Sequence, residues 1–266
     1  MIPVHLAALI PGCEEGQKPQ SVQRLPGGRG CNLVLRIDTE AGAFVLRQRH
    51  PPLDRPGSVA MTELRSQMAA AAAGLAPRII QAAMDGSWLL MEFIDALPWT
   101  DEQLLSDAGL EQLGLRLARL HRLPLPRDVP QLDATQIANG YLAQLRARDV
   151  RLAEELLPLG TKVHELSRRM TALALPAVLN HGDLQGGNML GAGPLLVDWE
   201  YAQLVDPTYD VACLLTYYPA LERRLPRLLR SCGLGLSEAQ EALALQRQRF
   251  ACLDQLWNAV NVPKAG

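Results

Sequence analysis

The chain has 266 residues, 48% of them hydrophobic, with 26 basic against 28 acidic side chains and a formal net charge of −2. This length and apolar content suit one large domain or two small lobes around a sizeable core, and exclude a disordered chain. The balanced charge supplies no general grip on nucleic acid or an anionic membrane, so neither is expected as a partner.

Five cysteines, Cys13, Cys31, Cys213, Cys232 and Cys252, form no CxxC pair. They fit reduced thiols in a cytoplasmic setting better than a disulfide framework or a zinc site. The opening MIPVHLAALIPGC has no Lys or Arg ahead of its short apolar run. It therefore predicts an amphipathic helix ended by Pro11 and Gly12, in preference to an export signal. No run approaches the ~18 apolar residues of a membrane span.

Residues 21–49, SVQRLPGGRGCNLVLRIDTEAGAFVLRQR, alternate short apolar runs with glycine-containing turns. They predict three strands of an antiparallel meander. Residues 58–73 lack Pro and Gly after the start and predict a helix, which GLAP ends. RIIQAAMDGSWLLMEFI predicts two strands around the hairpin dipeptide Asp85-Gly86. Beyond residue 94 the period changes: leucines three or four apart over 101–121 predict one helix. Further helices are predicted over 133–148, 151–172, 208–231 and 236–260. The fold class is therefore α+β, with a strand-rich N-lobe over 1–93 and a larger helical C-lobe over 94–266.

The stretch HGDLQGGN stands between two short apolar pieces, AVLN and PLLVDW. Asp183 and Asn188 lie five apart in a glycine-rich loop, and Asp198 follows ten residues after Asn188. Carboxylate and amide oxygens are the ligands magnesium prefers, with water and phosphate completing its shell. Asp and Asn are also ordinary turn residues, and alone the loop is as well explained by a polar turn. PGGRG alone reads as a hairpin turn, Arg47 as a solvent-facing strand residue, and Glu63 as a helix-surface acid.

HGDLQGGN followed by LLVDWEYA resembles the catalytic and metal segments of the aminoglycoside and choline kinase family, small-molecule phosphotransferases with a protein-kinase-like fold. PGGRGCN is similar to its glycine-rich loop, FVLRQR to its third strand, and TELRSQMAAAAAGLAPRII to its first helix. LLMEFIDA is similar to the link between lobes, and LGLRLARLHRLP to the helix ending in His. The resemblance runs in order over nearly the whole chain, and its DWEYA stretch is most similar to choline and thiamine kinase-like members. It implies transfer of the γ-phosphoryl group of ATP, with Mg²⁺, to a hydroxyl of a small molecule. Asp183 would orient that hydroxyl and accept its proton, while Asn188 and Asp198 would hold Mg²⁺. Arg47, steered by Glu63, would pair with the nucleotide phosphates. Gly27, Gly28 and Gly30 would let backbone amides approach them, and the peptide groups from Glu92 to Ile94 would meet the adenine edge.

Departures from the protein kinase pattern carry information. Arg stands at position 47 where protein kinases use Lys, and its planar fork needs more room. Gly182 stands in place of an arginine that reads a phosphorylated activation loop. Gln185 replaces a basic residue, and the nine residues between Glu200 and Asp210 leave no room for a long activation segment. A protein substrate is therefore not expected.

For the acceptor site, Tyr201, Tyr209, Tyr217, Tyr218, Phe250, Asp254 and Trp257 come under consideration, since aromatics and carboxylates surround cationic amines well. Aromatics at helical spacing also simply pack in cores. A cationic choline- or thiamine-like amino alcohol is the favoured acceptor; an aminoglycoside or amino sugar is the alternative. A nucleotide-binding pseudokinase is the reading from another class, against which the intact Asp183, Asn188 and Asp198 argue. His121 and His181 are read as structural.

Overall fold

The computed structural model describes residues 4–13, 17–25, 32–49 and 59–261. The chain forms two compact units. The first holds residues up to Trp99 together with Pro126–Val129 and Gly187–Ala202; the second holds Thr100–Leu125, Pro130–Gly186 and the chain from Gln203 onward.

The first unit is built on a five-stranded antiparallel sheet in the order β1-β2-β3-β5-β4. Its strands are β1 (Ser21–Arg24), β2 (Leu33–Thr39), β3 (Gly42–Gln48), β4 (Ile79–Ala82) and β5 (Trp88–Glu92). Alternation along β2 and β3 sends Leu35, Ile37, Phe44 and Leu46 to one face, where they bury against Leu6, Ile10 and Cys13 from the segment around helix α1 (Val4–Ala7). The opposite face carries Val45, Leu89 and Met91 and packs against Leu64 of helix α2 (Val59–Ala72). The predicted Asp-Gly turn is the one between β4 and β5. Gly86 has φ +70°, and a Cβ there would lie 2.7 Å from the Ala60 methyl carbon, so both backbone and space require glycine.

Residues 187–202 join this unit through a small hairpin of β7 (Met189–Leu190) and β8 (Leu195–Leu196). The Trp99 indole donates to the Gly191 carbonyl at 2.6 Å, the Trp99 amide to Met189 at 2.9 Å, and the Leu196 amide to the Leu75 carbonyl at 2.8 Å.

The second unit is helical apart from β6 (Val178–Asn180) and β9 (Gln203–Val205), which pair antiparallel. Helices α5 (Ala134–Arg148), α6 (Val150–Ala172) and α9 (Leu236–Asn261) share a core in which Ala138, Val163 and Leu256 are fully buried. Two predicted helices are broken. Residues 101–121 form α3 (Asp101–Leu105) and α4 (Asp107–Leu120), because Ser106 is extended and its hydroxyl caps the second helix by accepting from Gly109 at 2.9 Å. Residues 208–231 form α7 (Thr208–Tyr217), a 3₁₀ segment over Pro219–Arg224, and α8 (Leu225–Ser231). Pro219 and Pro226 each stand at the start of a new turn, where proline's missing N–H costs nothing. No described helix is long and apolar enough to cross a membrane. The described cysteines Cys13, Cys213, Cys232 and Cys252 are all buried, and Cys213, Cys232 and Cys252 are free thiols.

Candidate active site

In the second unit, β6 delivers the loop that carries Asp183. The Asn180 amide donates to the Val205 carbonyl at 3.0 Å, and its oxygen accepts from the Asp210 amide at 3.2 Å, which ties the end of β6 to the first turn of α7. The Asp210 carboxylate, with no exposed surface, accepts from His181 N–H at 3.0 Å and Gly182 N–H at 2.8 Å. A buried carboxylate is tolerable only when so satisfied, and here its two oxygens fix two consecutive peptide groups. Gly182 has φ +81°, so this position favours glycine. His181 Nδ1 accepts from the Asp183 amide at 3.3 Å, which puts the ring's proton on Nε2. His121 approaches Asp210 to 3.7 Å, but neither ring nitrogen finds a hydrogen-bond partner among the described residues.

Asp183 itself is 9% exposed, and its Oδ1 accepts from Gln185 Nε2 at 2.8 Å. The Tyr217 hydroxyl also donates to Asp183; burial, followed by Cys213, Asp183 and Asp254, raises this phenol well above its ordinary value and keeps its proton in place. Beneath the loop, Cys213 Sγ accepts from the Leu184 amide at 3.3 Å, and burial pushes this thiol up. The Gly186 amide donates to the Tyr218 hydroxyl at 2.9 Å. Of the aromatics considered for an acceptor, Tyr209 and Phe250 are core residues, meeting edge to face at 5.4 Å. Tyr217 also meets Phe250 edge to face, at 5.8 Å, and is partly exposed, as are Tyr201, Tyr218, Asp254 and Trp257.

In the first unit, Asn188 ends a 3₁₀ turn and Asp198 begins another, at the two open ends of the β7–β8 hairpin. The Val197 amide donates to the Asn188 carbonyl at 3.0 Å. Asp198 has φ +65°, an uncommon state for a non-glycine residue and one that marks functional sites. Arg47 on β3 joins it: its Nη2 lies 2.8 Å from Asp198 Oδ1 and 3.4 Å from Glu200 Oε2, while Nη1 contacts Glu63. Glu63, on α2 and 1% exposed, also contacts Arg49. The structure thus brings together Arg47, Glu63 and Asp198, and adds Glu200 and Arg49, which the sequence left unassigned.

Glu92 and Ile94 lie at and just beyond the end of β5. The Glu92 amide donates to the Arg78 carbonyl and the Phe93 amide to the Ala43 carbonyl, both at 3.0 Å, and the Ile94 carbonyl accepts from Ala96 at 2.9 Å. Gly27, Gly28 and Gly30 lie outside the described residues.

Asn188, Asp198 and Glu200 offer hard oxygen donors, a set that suits magnesium and not a soft metal. Among the described residues no cluster of three or more His, Cys, Asp or Glu forms a self-contained metal cage. Such a donor set fits a cation whose shell is completed by water and phosphate.

A model of the phosphotransferase enzyme family, APH, matches residues 21–245. No curated protein sequence matches the chain. Among solved structures, a choline/ethanolamine kinase family protein from Mesorhizobium loti superposes with a TM-score of 0.73 at 20% identity, covering 97% of this chain and 84% of its own. Choline kinase LicA from Streptococcus pneumoniae superposes with 0.74 at 14% identity, over 98% of this chain and 90% of its own. Spectinomycin phosphotransferase, solved with ADP and spectinomycin, gives 0.63 at 14% identity, over 93% and 85%. At these identities the likeness is one of fold, and the fold is kinase-like.

Proposed function

The chain belongs to this phosphotransferase family, and from that premise we propose that it moves the γ-phosphoryl group of ATP to a hydroxyl of a small cationic amino alcohol of the choline or thiamine type. Asp183 accepts the acceptor hydroxyl's proton as its oxygen bonds to the γ-phosphorus and the bridging P–O bond to ADP breaks. Gln185 and Tyr217 hold the Asp183 carboxylate in one orientation, which removes rotamer entropy from the reacting geometry. Arg47 pairs with the nucleotide phosphates, and the backbone at Gly27, Gly28 and Gly30 approaches them without side-chain clash. Asn188 and Asp198 would hold Mg²⁺, which supplies neutralisation of phosphate charge. Adenine meets the peptide groups from Glu92 to Ile94. The free, buried thiols of Cys213, Cys232 and Cys252 support a reducing cytoplasm as the setting.

Tyr217 carries the choice of acceptor. Its ring meets Phe250 edge to face, its hydroxyl donates to Asp183, and the negative charges of Asp183 and Asp254 both help to hold its proton in place. An aromatic face beside two carboxylates suits a small cation that bears a hydroxyl. Two carboxylates also suit the ammonium groups of an aminoglycoside or amino sugar, which is the second reading. ADP formation with Mg²⁺ across choline, ethanolamine, thiamine, amino sugars and aminoglycosides, with Asp183→Ala as the blank, decides between them. Turnover confined to the amino alcohols is the expected result, and turnover confined to the sugars would overturn the first choice.

A further inference from the structure

We propose that a cleft in the second unit binds a small polar carboxylate, which the guanidinium of Arg249 holds through its two terminal nitrogens. The cleft has a volume of about 140 Å³, and its wall includes Gln131, Thr171 at the end of α6, Leu204 on β9, Asp206, and Arg249 in the middle of α9. Arg249 is only 5% exposed, yet among the described residues it forms no ion pair. Its Nε donates to Gln246 Oε1 at 3.0 Å, while Nη1 and Nη2 have no acceptor among those residues. Buried charges are as a rule paired, because taking an isolated charge out of water is strongly unfavourable. Burial, the largest influence on Arg249, draws its pKa below the ordinary value, and the charges of Tyr209 and Asp206 oppose this without cancelling it. The guanidinium therefore lacks a counter-charge that an anion in the cleft would supply.

Asp206 also lines the cleft, but its oxygens are taken. Oδ1 accepts from the Thr208 amide at 3.0 Å and from the Thr208 hydroxyl, and Oδ2 accepts from Gln246 Nε2. Gln246 has no exposed surface, and these partners fix its amide: the nitrogen faces Asp206 and the oxygen faces Arg249 Nε. One buried glutamine thus stands between the anion and the cation and holds the guanidinium from its Nε edge. The fork of Nη1 and Nη2 remains, and its geometry matches the two oxygens of a carboxylate. A carboxylate also carries the single charge that one guanidinium balances. A phosphate dianion would bring a second negative charge beside Asp206, and Arg249 is the one cation in the described wall. The Gln131 amide and the Thr171 hydroxyl, which donates to the Ser167 carbonyl at 3.0 Å and is left as an acceptor, suit polar substituents on the acid. None of these residues is assigned to nucleotide, metal or acceptor, so the site is independent of the phosphotransfer reading.

The test is titration of the full chain with acetate at constant ionic strength, read by saturation-transfer NMR at the acetate methyl and by the thermal midpoint, with acetamide and inorganic phosphate as parallel probes. Saturable acetate binding with a Kd of about 1–10 mM is expected for one bidentate charge-assisted contact to so small a ligand, with no saturation by acetamide. Arg249→Met should abolish that binding. Arg249→Lys, which serves if Arg249→Met does not fold, should weaken it about 10-fold, since an ammonium keeps the charge and loses the fork. Acetate should raise the thermal midpoint of the parent and leave that of Arg249→Met where it is. Acetate binding that survives in Arg249→Met, equal binding of acetamide, tighter binding of inorganic phosphate, or no saturable binding at all would overturn the proposal.

Discussion

Asp210→Asn tests whether α7 sets the geometry of the loop that carries Asp183. The substitution keeps the size of the side chain and turns one acceptor oxygen into an NH₂ group. One of the two amides now held at 3.0 and 2.8 Å, His181 N–H or Gly182 N–H, then faces a donor. A hydrogen bond to a charged group contributes about 1.5–3 kcal/mol, and a buried donor left unpaired costs about 1–3 kcal/mol. A loss near 3 kcal/mol follows, which for a chain of this size lowers Tm by about 6–12 °C. Well below that midpoint the protein stays folded, and the effect passes to the loop: a displacement of about 1 Å at Asp183 costs roughly 100-fold in kcat. Nucleotide affinity should change little, since Arg47 and Asp198 belong to the other compact unit. Steady-state kinetics at 15–20 °C below the variant's own Tm, paired with calorimetry for the nucleotide, reads both quantities. A kcat within about threefold of the parent at intact fold, or a nucleotide Kd that rises in step with the loss of kcat, would refute the role assigned to Asp210.

Three further outcomes are expected. Asp198→Ala should abolish the Mg²⁺ dependence of nucleotide binding, and a titration in which Mg²⁺ still strengthens binding would reject Asp198 as a metal ligand. Gly114→Ala should destabilise the second unit by about 1–3 kcal/mol through overpacking, because the new methyl would stand 2.3 Å from Ser231 Cβ where α4 crosses α8; Ser231→Gly should restore part of the urea midpoint, and a variant as stable as the parent would show that the helices can separate freely. Burial, with a smaller contribution from Asp210, raises the Cys232 thiol from its ordinary 9.0 to about 12. The unfolded chain then ionises first, so this contribution is present below pH 9 and is lost as pH rises from about 9 toward 12, by up to about 1.4 kcal/mol per pH unit. Cys232→Ala should flatten the fall of the urea midpoint between pH 8 and pH 10, and an unchanged slope would place the alkaline sensitivity elsewhere.

The parts of the fold that were legible in the sequence are those whose signal is local. Alternation in 33–48 and the Asp85-Gly86 pair predict the antiparallel strands because pleat and turn are decided by neighbours in the chain. The breaks at Ser106 and Pro219 were missed for an opposite reason. Leucines recur at helical spacing on both sides of Ser106, so the apolar period continues through a residue that ends one helix and caps the next. A capping serine followed by Asp107 was the available signal, and it weighs less than a hydrophobic period in any window that averages over a dozen residues. The place of 187–202 in the first unit could not be read at all, because it depends on Trp99 and Leu75 bonding to a hairpin some hundred residues away.

At the site, the residues proposed to touch substrate were legible and the residues that hold them were not. Asp183, Asn188 and Asp198 announce themselves by polar chemistry in a short glycine-rich stretch. Asp210 sits in TYDVACLLTY, where the apolar neighbours suggest only a buried helix, yet an acid in such a segment must be satisfied by something, and that requirement was itself the signal. The same logic applies to Glu63. It reads as a surface acid until two arginines on one strand face are counted against it, and a carboxylate only 1% exposed with two cations is not arranged for stability alone, since a well-packed apolar side chain would serve as well. Under the proposed function the cluster keeps Arg47 charged and placed for the nucleotide phosphates, which an apolar replacement could not do.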